Sequence, residues 1–166
     1  VVAAPVFAGE PPYPSRPIRI LVGFAPGGAA DITARLLGEK FTASMGANVV
    51  VDNRTGATGI IATDLVAKSA PDGHTLGVFA LSFAINPSIR KLPYDTVRDF
   101  TPVALVALSP QMLVVHPSVP ASNVKELIAL AKAKPGAVTV GTAGNGTSTH
   151  LTLELLGYLT GADFTH

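Results

Sequence analysis

The sequence predicts an α/β fold built on parallel sheets, and three observations carry that reading. Short apolar runs alternate with helix-patterned segments, strand–helix–strand–helix–strand, over residues 18–81. That order leads to a parallel sheet with helices on its faces. The first run is almost continuously apolar, as a strand covered on both faces should be. Two stretches also share one layout of apolar run, glycine-rich bend and helix-like sequence: Ile18 to Asp31, and Val138 to His150.

Taken in order, residues 18–24 read as the first strand, interrupted only by Arg19. From Ala30 the pattern turns helical, with Ile32, Leu36, Leu37, Phe41 and Met45 on one stripe and Gly46 to end it. Residues 48–51 form a second strand, 52–56 a turn, 58–68 a helix, 71–73 a turn and 75–81 a third strand. Asn86-Pro87, Leu92-Pro93-Tyr94-Asp95 and Asp99 to Pro102 then break the periodicity. A first unit over residues 16–100 is expected to give way there to a second over 101–166. In the second unit, 103–108 and 112–116 read as strands split by Ser109-Pro110. Ser122 caps a helix reaching Ala133, 138–141 is a strand, and a helix covers 147–159. Asp163 to His166 has the character of a further strand just beginning, so the second unit is expected to be incomplete. Residues 1–15 read as a signal-peptide remnant, cleaved after Ala8, and a proline-rich extended lead-in, with an ordinary frayed N-terminus as the competing reading.

Composition removes several functions. Hydrophobic residues make up 48% and charged ones 14%, with a net charge of +1, so no basic surplus exists for nucleic acid or an anionic membrane. Cysteine is absent, which excludes thiolate chemistry and disulfides. No apolar stretch reaches the ~18 residues needed to span a bilayer.

The bends carry the functional lead. A strand that ends in glycines before a helix bares the first N–H groups of that helix, a ready site for anions. Gly23 to Gly28 has P-loop glycine spacing but is followed by Ala29 and Ala30, not lysine and a hydroxyl residue, which rules out familiar triphosphate chemistry. Phe24, Ala25, Pro26, Gly27, Gly28 and Ala29 still form a neutral bend whose backbone can hold a carboxylate. A tight turn using glycine only for its φ angles is the competing reading. Asp31 falls in the first helical turn, where it complements the dipole and is also placed to orient a ligand group. At the second bend, Gly144-Asn145-Gly146 opens like a dinucleotide fingerprint, but Thr149 stands where the third glycine belongs. With Ala143, the hydroxyls of Thr142, Thr147, Ser148 and Thr149 make either a polar pocket or a helix cap. Phe24 and Phe83 fall at the carboxyl edge of the sheet, where ligands bind, with core packing as the competing reading for each. His150 and Glu154 share a helix face, yet His74, His116 and His166 lie on separate segments, so no metal site and no cofactor is assigned. G-x-S-x-G is absent, and no nucleophile–base grouping announces itself.

Together these residues resemble a known family. Tyr13 to Ile18 and Val22 to Asp31 (V-G-F-A-P-G-G-A-A-D) are similar to the opening of the solute receptors of tripartite tricarboxylate transporters, the Bug family. The likeness continues through Val51-Asp52-Asn53-Arg54 with Gly56 and Gly59, Ala70 to Leu76, Leu92 to Asp95, Asp99 to Val103, and Gly144 to Thr147 with His150-Leu151. The resemblance implies a type II periplasmic binding protein, two α/β lobes closing on an organic anion, and no catalysis. It implies that the ligand carboxylate is held by main-chain donors and waters at Phe24 to Asp31 and at Thr142 to His150, with Ser82 and Phe83 on the side wall. Dicarboxylates, acidic amino acids and aromatic carboxylates are the implied ligands, and membrane transporter subunits the implied partners. The implied state is a monomer at full length, with dimerisation or strand exchange for a truncated chain. Two rival readings stand: a doubly wound enzyme acting on a phosphorylated or nucleotide substrate, with only Asp31, Ser148 and His150 to offer, and a non-binding fragment.

Overall fold

The structure is a computed structural model and describes residues 12–166. The expected leader, with cleavage after Ala8, lies outside the described residues. Strand β1 (Ile18–Val22) runs between β2 (Val49–Asn53) and β3 (Thr75–Val78) in one parallel sheet of order β2-β1-β3. Ile18, Ile20, Leu21 and Val22 are at most 1% exposed, which is why this run is apolar at successive positions. Asp52 and Asn53 belong to β2, not to the turn expected there. The register sets Leu21 beside Asp52, and the Arg19 and Arg54 side chains both pair with the Asp52 carboxylate. Arg19 thus gives the otherwise apolar strand its one polar anchor.

Helix α1 (Ala29–Met45) packs on the sheet, but not through the expected stripe. Ile32, Leu36 and Met45 are exposed, whereas Asp31, Ala34 and Gly38 are buried, with Leu37 and Phe41 partly covered. Small residues face the sheet because the helix lies close to β2: a Cβ on Gly38 would come within 3.1 Å of Val49 Cγ1. A 3-10 turn (Ala57–Gly59) leads into α2 (Ile60–Ala67). β3 stops at Val78, short of the expected residue 81, and the chain turns into a helix that the sequence reading missed, α3 (Ser82–Ile89). Asn86-Pro87 resembles a break, yet Pro87 sits inside α3, at the loss of one backbone hydrogen bond. Phe79 and Phe83 stack at 4.8 Å, and Phe100 meets both edge-on, so the passage after α3 is tied back to the sheet by aromatic contacts.

Residues 103–108 and 112–116 are not strands. They carry no regular structure, and Val103, Leu105, Leu108, Met112 and Val114 are exposed. The pattern suits a strand, but a strand forms only against a partner, and none of the described strands pairs with this segment. Helix α4 (Val124–Ala133) is capped one residue later than expected. Asn123 Oδ1 accepts the Glu126 N–H at 3.0 Å, while Glu126 Oε2 accepts the Ser122 N–H at 2.7 Å, a reciprocal cap. β4 (Val138–Thr139) and β5 (Phe164–Thr165) pair in parallel across α5 (Ser148–Thr160), forming a second, two-stranded sheet.

Candidate functional site

The first bend leaves β1 at Gly23 and reaches α1 at Ala29. Gly27 adopts φ 83°, a left-handed conformation that only glycine takes without strain. Its N–H donates to Asp31 Oδ2 at 2.8 Å, and the Gly28 N–H donates to the Ala25 carbonyl at 3.4 Å. Those two donors are therefore used inside the bend. Asp31 is buried, takes the Gly27 N–H and pairs with Arg35 at 2.9 Å. The Arg35 guanidinium, followed by the Gly27 N–H, holds the Asp31 carboxyl down at about 2 from its usual 3.8, against the opposing effect of burial. Asp31 thus acts as the internal brace of the bend. The N–H groups of Ala29, Ala30 and Asp31 itself open the helix without a side-chain cap, and none of them meets an acceptor among the described residues. Pro26 and Ala29 are exposed beside them, and the Phe24 carbonyl accepts the Asn53 side-chain amide at 3.0 Å.

The second bend is tied together by hydroxyls. Thr147 Oγ1 donates to the Gly144 carbonyl at 2.7 Å and accepts the His150 N–H, capping α5. Thr149 Oγ1 accepts the Ala143 N–H at 3.0 Å, Thr142 Oγ1 the Gly144 N–H at 3.3 Å, and His150 Nδ1 the Gly146 N–H at 3.4 Å. Of the hydroxyls proposed to line a pocket, three thus close the bend on itself. The Ser148 hydroxyl and the N–H groups of Asn145, Ser148 and Thr149 have no acceptor or donor partner among the described residues.

The 3-10 turn Ala57–Gly59 sits between the two bends and touches both sides. Gly59 backs onto the start of the first bend so closely that a Cβ on Gly23 would lie 2.6 Å from Gly59 Cα. Thr58 Oγ1 donates to the Asn145 carbonyl at 3.1 Å. Ala57 and Thr58 take φ of 47° and 56°, and for β-branched Thr58 this is a strained conformation of the kind that clusters at functional positions. Asn86, 1% exposed, donates to the Thr58 carbonyl at 3.3 Å, and Arg90 reaches the Asn145 carbonyl at 3.4 Å. Phe24, Thr58, Ser82 and Phe83 edge a narrow recess beside the first bend. Thr58, Asn86 and Arg90 stand at the junction of the bends and were not among the residues the sequence pointed to. Only Gly56 and Gly59 hinted at the turn, and nothing local brings Arg90 to the second bend. One expectation is corrected outright: His166 is not isolated, because β5 returns it to within 4.3 Å of His150, ring centre to ring centre.

One helix start without a side-chain cap, at α1, and one capped by Thr147, at α5, flank a strained turn, and comparison with known proteins decides the family. Residues 33–166 match the model described as tripartite tricarboxylate transporter family receptor. The chain belongs to that family. Protein BugT of Bordetella pertussis is 42% identical over 97% of this chain and 50% of its own length. A protein encoded in the tcbD-tcbE intergenic region of Pseudomonas sp. is 41% identical over 93% of this chain and 46% of its own. Among solved structures, an R. palustris protein with adipate superimposes at a TM-score of 0.87 with 34% identity, covering 93% of this chain and 52% of that one. MatC from Rhodopseudomonas palustris with bound malate superimposes at 0.79 with 32% identity, covering 92% and 53%. The chain spans about half the length of the relatives it matches. Its α/β fold is that of the matched half of these periplasmic binding proteins, as the sequence reading expected, and its relatives in the family are receptors, not enzymes.

Proposed function

We propose that this chain is part of an extracytoplasmic receptor that captures a small organic carboxylate and delivers it to a tripartite tricarboxylate-type membrane transporter, without catalysing a reaction. The observation that carries the reading is the pair of helix starts whose N–H groups meet no acceptor among the described residues, Ala29 to Asp31 and Ser148 to Thr149, on bends joined through one turn. Aligned amides at a helix start hold a carboxylate by hydrogen bonds and by the dipole. Adipate and malate, the ligands of two solved relatives, are both dicarboxylates, which suits one carboxylate at each bend. The two sheets would be the cores of two lobes, divided near residue 100, that close on the ligand. A periplasmic location follows the family. It also agrees with the observation that, among the described residues, no helix is long and apolar enough to cross a membrane. Residues 103–115 offer an exposed apolar segment with which a further chain segment or a second copy would pair.

Isothermal titration calorimetry with adipate, malate and a nucleoside triphosphate tests this. Saturable heat with a dicarboxylate and none with the nucleotide is expected. Binding of the nucleotide alone would overturn the proposal and favour the enzyme reading.

A further inference from the structure

We infer that His150, Glu154 and His166 form a site for one divalent transition metal ion of the zinc class, separate from the carboxylate donors of the bends. The three residues come from two parts of the chain. His150 and Glu154 stand one turn apart on α5, and β5 carries His166 back over that turn. Their ligand atoms all lie within 4.8 Å of one another. Glu154 Oε1 is 3.8 Å from His150 Nε2 and 3.9 Å from His166 Nδ1. Two ligands of a tetrahedral zinc, each about 2.0–2.2 Å from the ion, are separated by roughly 3.4 Å. The two Glu154 distances are a few tenths of an ångström wider, which rotation of that exposed side chain can supply, and the imidazoles, whose ligand atoms lie within 4.8 Å, would draw together as the ion binds.

The tautomers decide whether lone pairs are available. His166 Nε2 lies 2.7 Å from Asn145 Oδ1, and a carbonyl oxygen only accepts. Nε2 therefore carries the proton, and Nδ1 turns a bare lone pair toward Glu154. A carbonyl that fixes the tautomer of a ligating histidine is the usual outer support of a metal site. His150 Nε2 faces the same carboxylate; the Gly146 N–H donates to Nδ1 at 3.4 Å, which leaves the ring proton on Nε2, so coordination through Nε2 shifts that proton to Nδ1 and breaks this long contact. Two imidazoles and a carboxylate are a donor set suited to zinc, with the fourth tetrahedral position left for water or another oxygen ligand.

The test uses untagged protein without any organic acid, so that its outcome is independent of the receptor reading. Zn²⁺ is titrated calorimetrically, and Co²⁺ is added as a visible-absorption probe of four-coordinate geometry. Expected is one ion per chain, a tetrahedral cobalt spectrum, and loss of both in H150A and in H166A, with E154Q weakened. N145A should weaken binding by roughly 10- to 100-fold, the usual effect of removing an outer partner, and H116A should bind as the parent does. Glu154 and His166 are exposed, and far-ultraviolet circular dichroism of each variant checks that the fold survives. No uptake by the parent protein, or uptake retained in either H150A or H166A, would overturn the inference.

Discussion

Replacing Ala29 by proline removes one backbone N–H proposed to hold the ligand at the first bend and should leave the helix intact. Ala29 is the first residue of α1, and its N–H meets no acceptor among the described residues, so no internal hydrogen bond is lost. Proline is favoured at this helical position because its fixed φ already suits the helix. The preceding residue must then be extended, and Gly28, at φ −77° and ψ 165°, already is. Folding stability should therefore hold or rise by about 0.4–1 kcal/mol, through a more restricted unfolded chain. If the amide donates to a carboxylate, its removal costs about 1.5–3 kcal/mol of binding, the range for a hydrogen bond to a charged group. That is a loss of roughly 10- to 150-fold in Kd. Calorimetry with adipate, beside a urea denaturation curve, reads both quantities. Unchanged affinity in a stably folded A29P protein would refute the reasoning, since the donor would then not touch the ligand.

Gly23→Ala should lower stability by about 1–3 kcal/mol, the usual cost of overpacking, because its Cβ would lie 2.6 Å from Gly59 Cα, whereas Gly141→Ala, with no atom within 4 Å of its Cβ, should be close to neutral. Thermal melts of the pair check this, and equal melting temperatures would contradict it. The Asp31 carboxyl, held at about 2 against 3.8 when unperturbed, contributes stability above the unfolded value that is lost as pH falls from about 4 to about 2. The gap in urea midpoint between the parent and D31N should accordingly be full near neutrality and shrink across that window, and a constant gap would show that the pairing with Arg35 and Gly27 contributes no pH dependence. Asn123→Ala removes the α4 cap and should cost ~1 kcal/mol, with Ser122→Ala nearly silent because Ser122 contributes only its backbone N–H to the cap. The reverse ranking would return the cap to Ser122.

The order of elements around β1 was legible because each depends on local pattern. An apolar run needs no partner to be recognised, and Gly46 marks the end of α1 by itself, taking φ 66° as the helix closes. The misses have physical causes. α3 was hidden by Asn86-Pro87, a pair that normally breaks helices but is held here by the buried Asn86 side chain on the Thr58 carbonyl. Residues 103–116 have the composition of strands, and pairing is a non-local property that composition does not supply. The helical stripe of α1 was misassigned because period alone ranks Ile32 and Leu36 above Ala34 and Gly38, while the close approach of β2 favours the small residues. Both bends were found from their glycines. Which of their amides remain available was not, because that depends on where Asp31, Thr142, Thr149 and His150 place their acceptors. The left-handed Thr58 and the nearness of His166 to His150 arise only from the folded chain.

The central claim concerns particular amides, so the most direct measurement is a ¹H–¹⁵N correlation titration of the labelled protein with adipate. Gripping of a carboxylate by the two helix starts predicts that the resonances of Ala29, Ala30, Ser148 and Thr149 move together, downfield in the proton dimension and saturating at a common ligand concentration. Shifts confined to other residues, with these four unmoved at saturation, would contradict it.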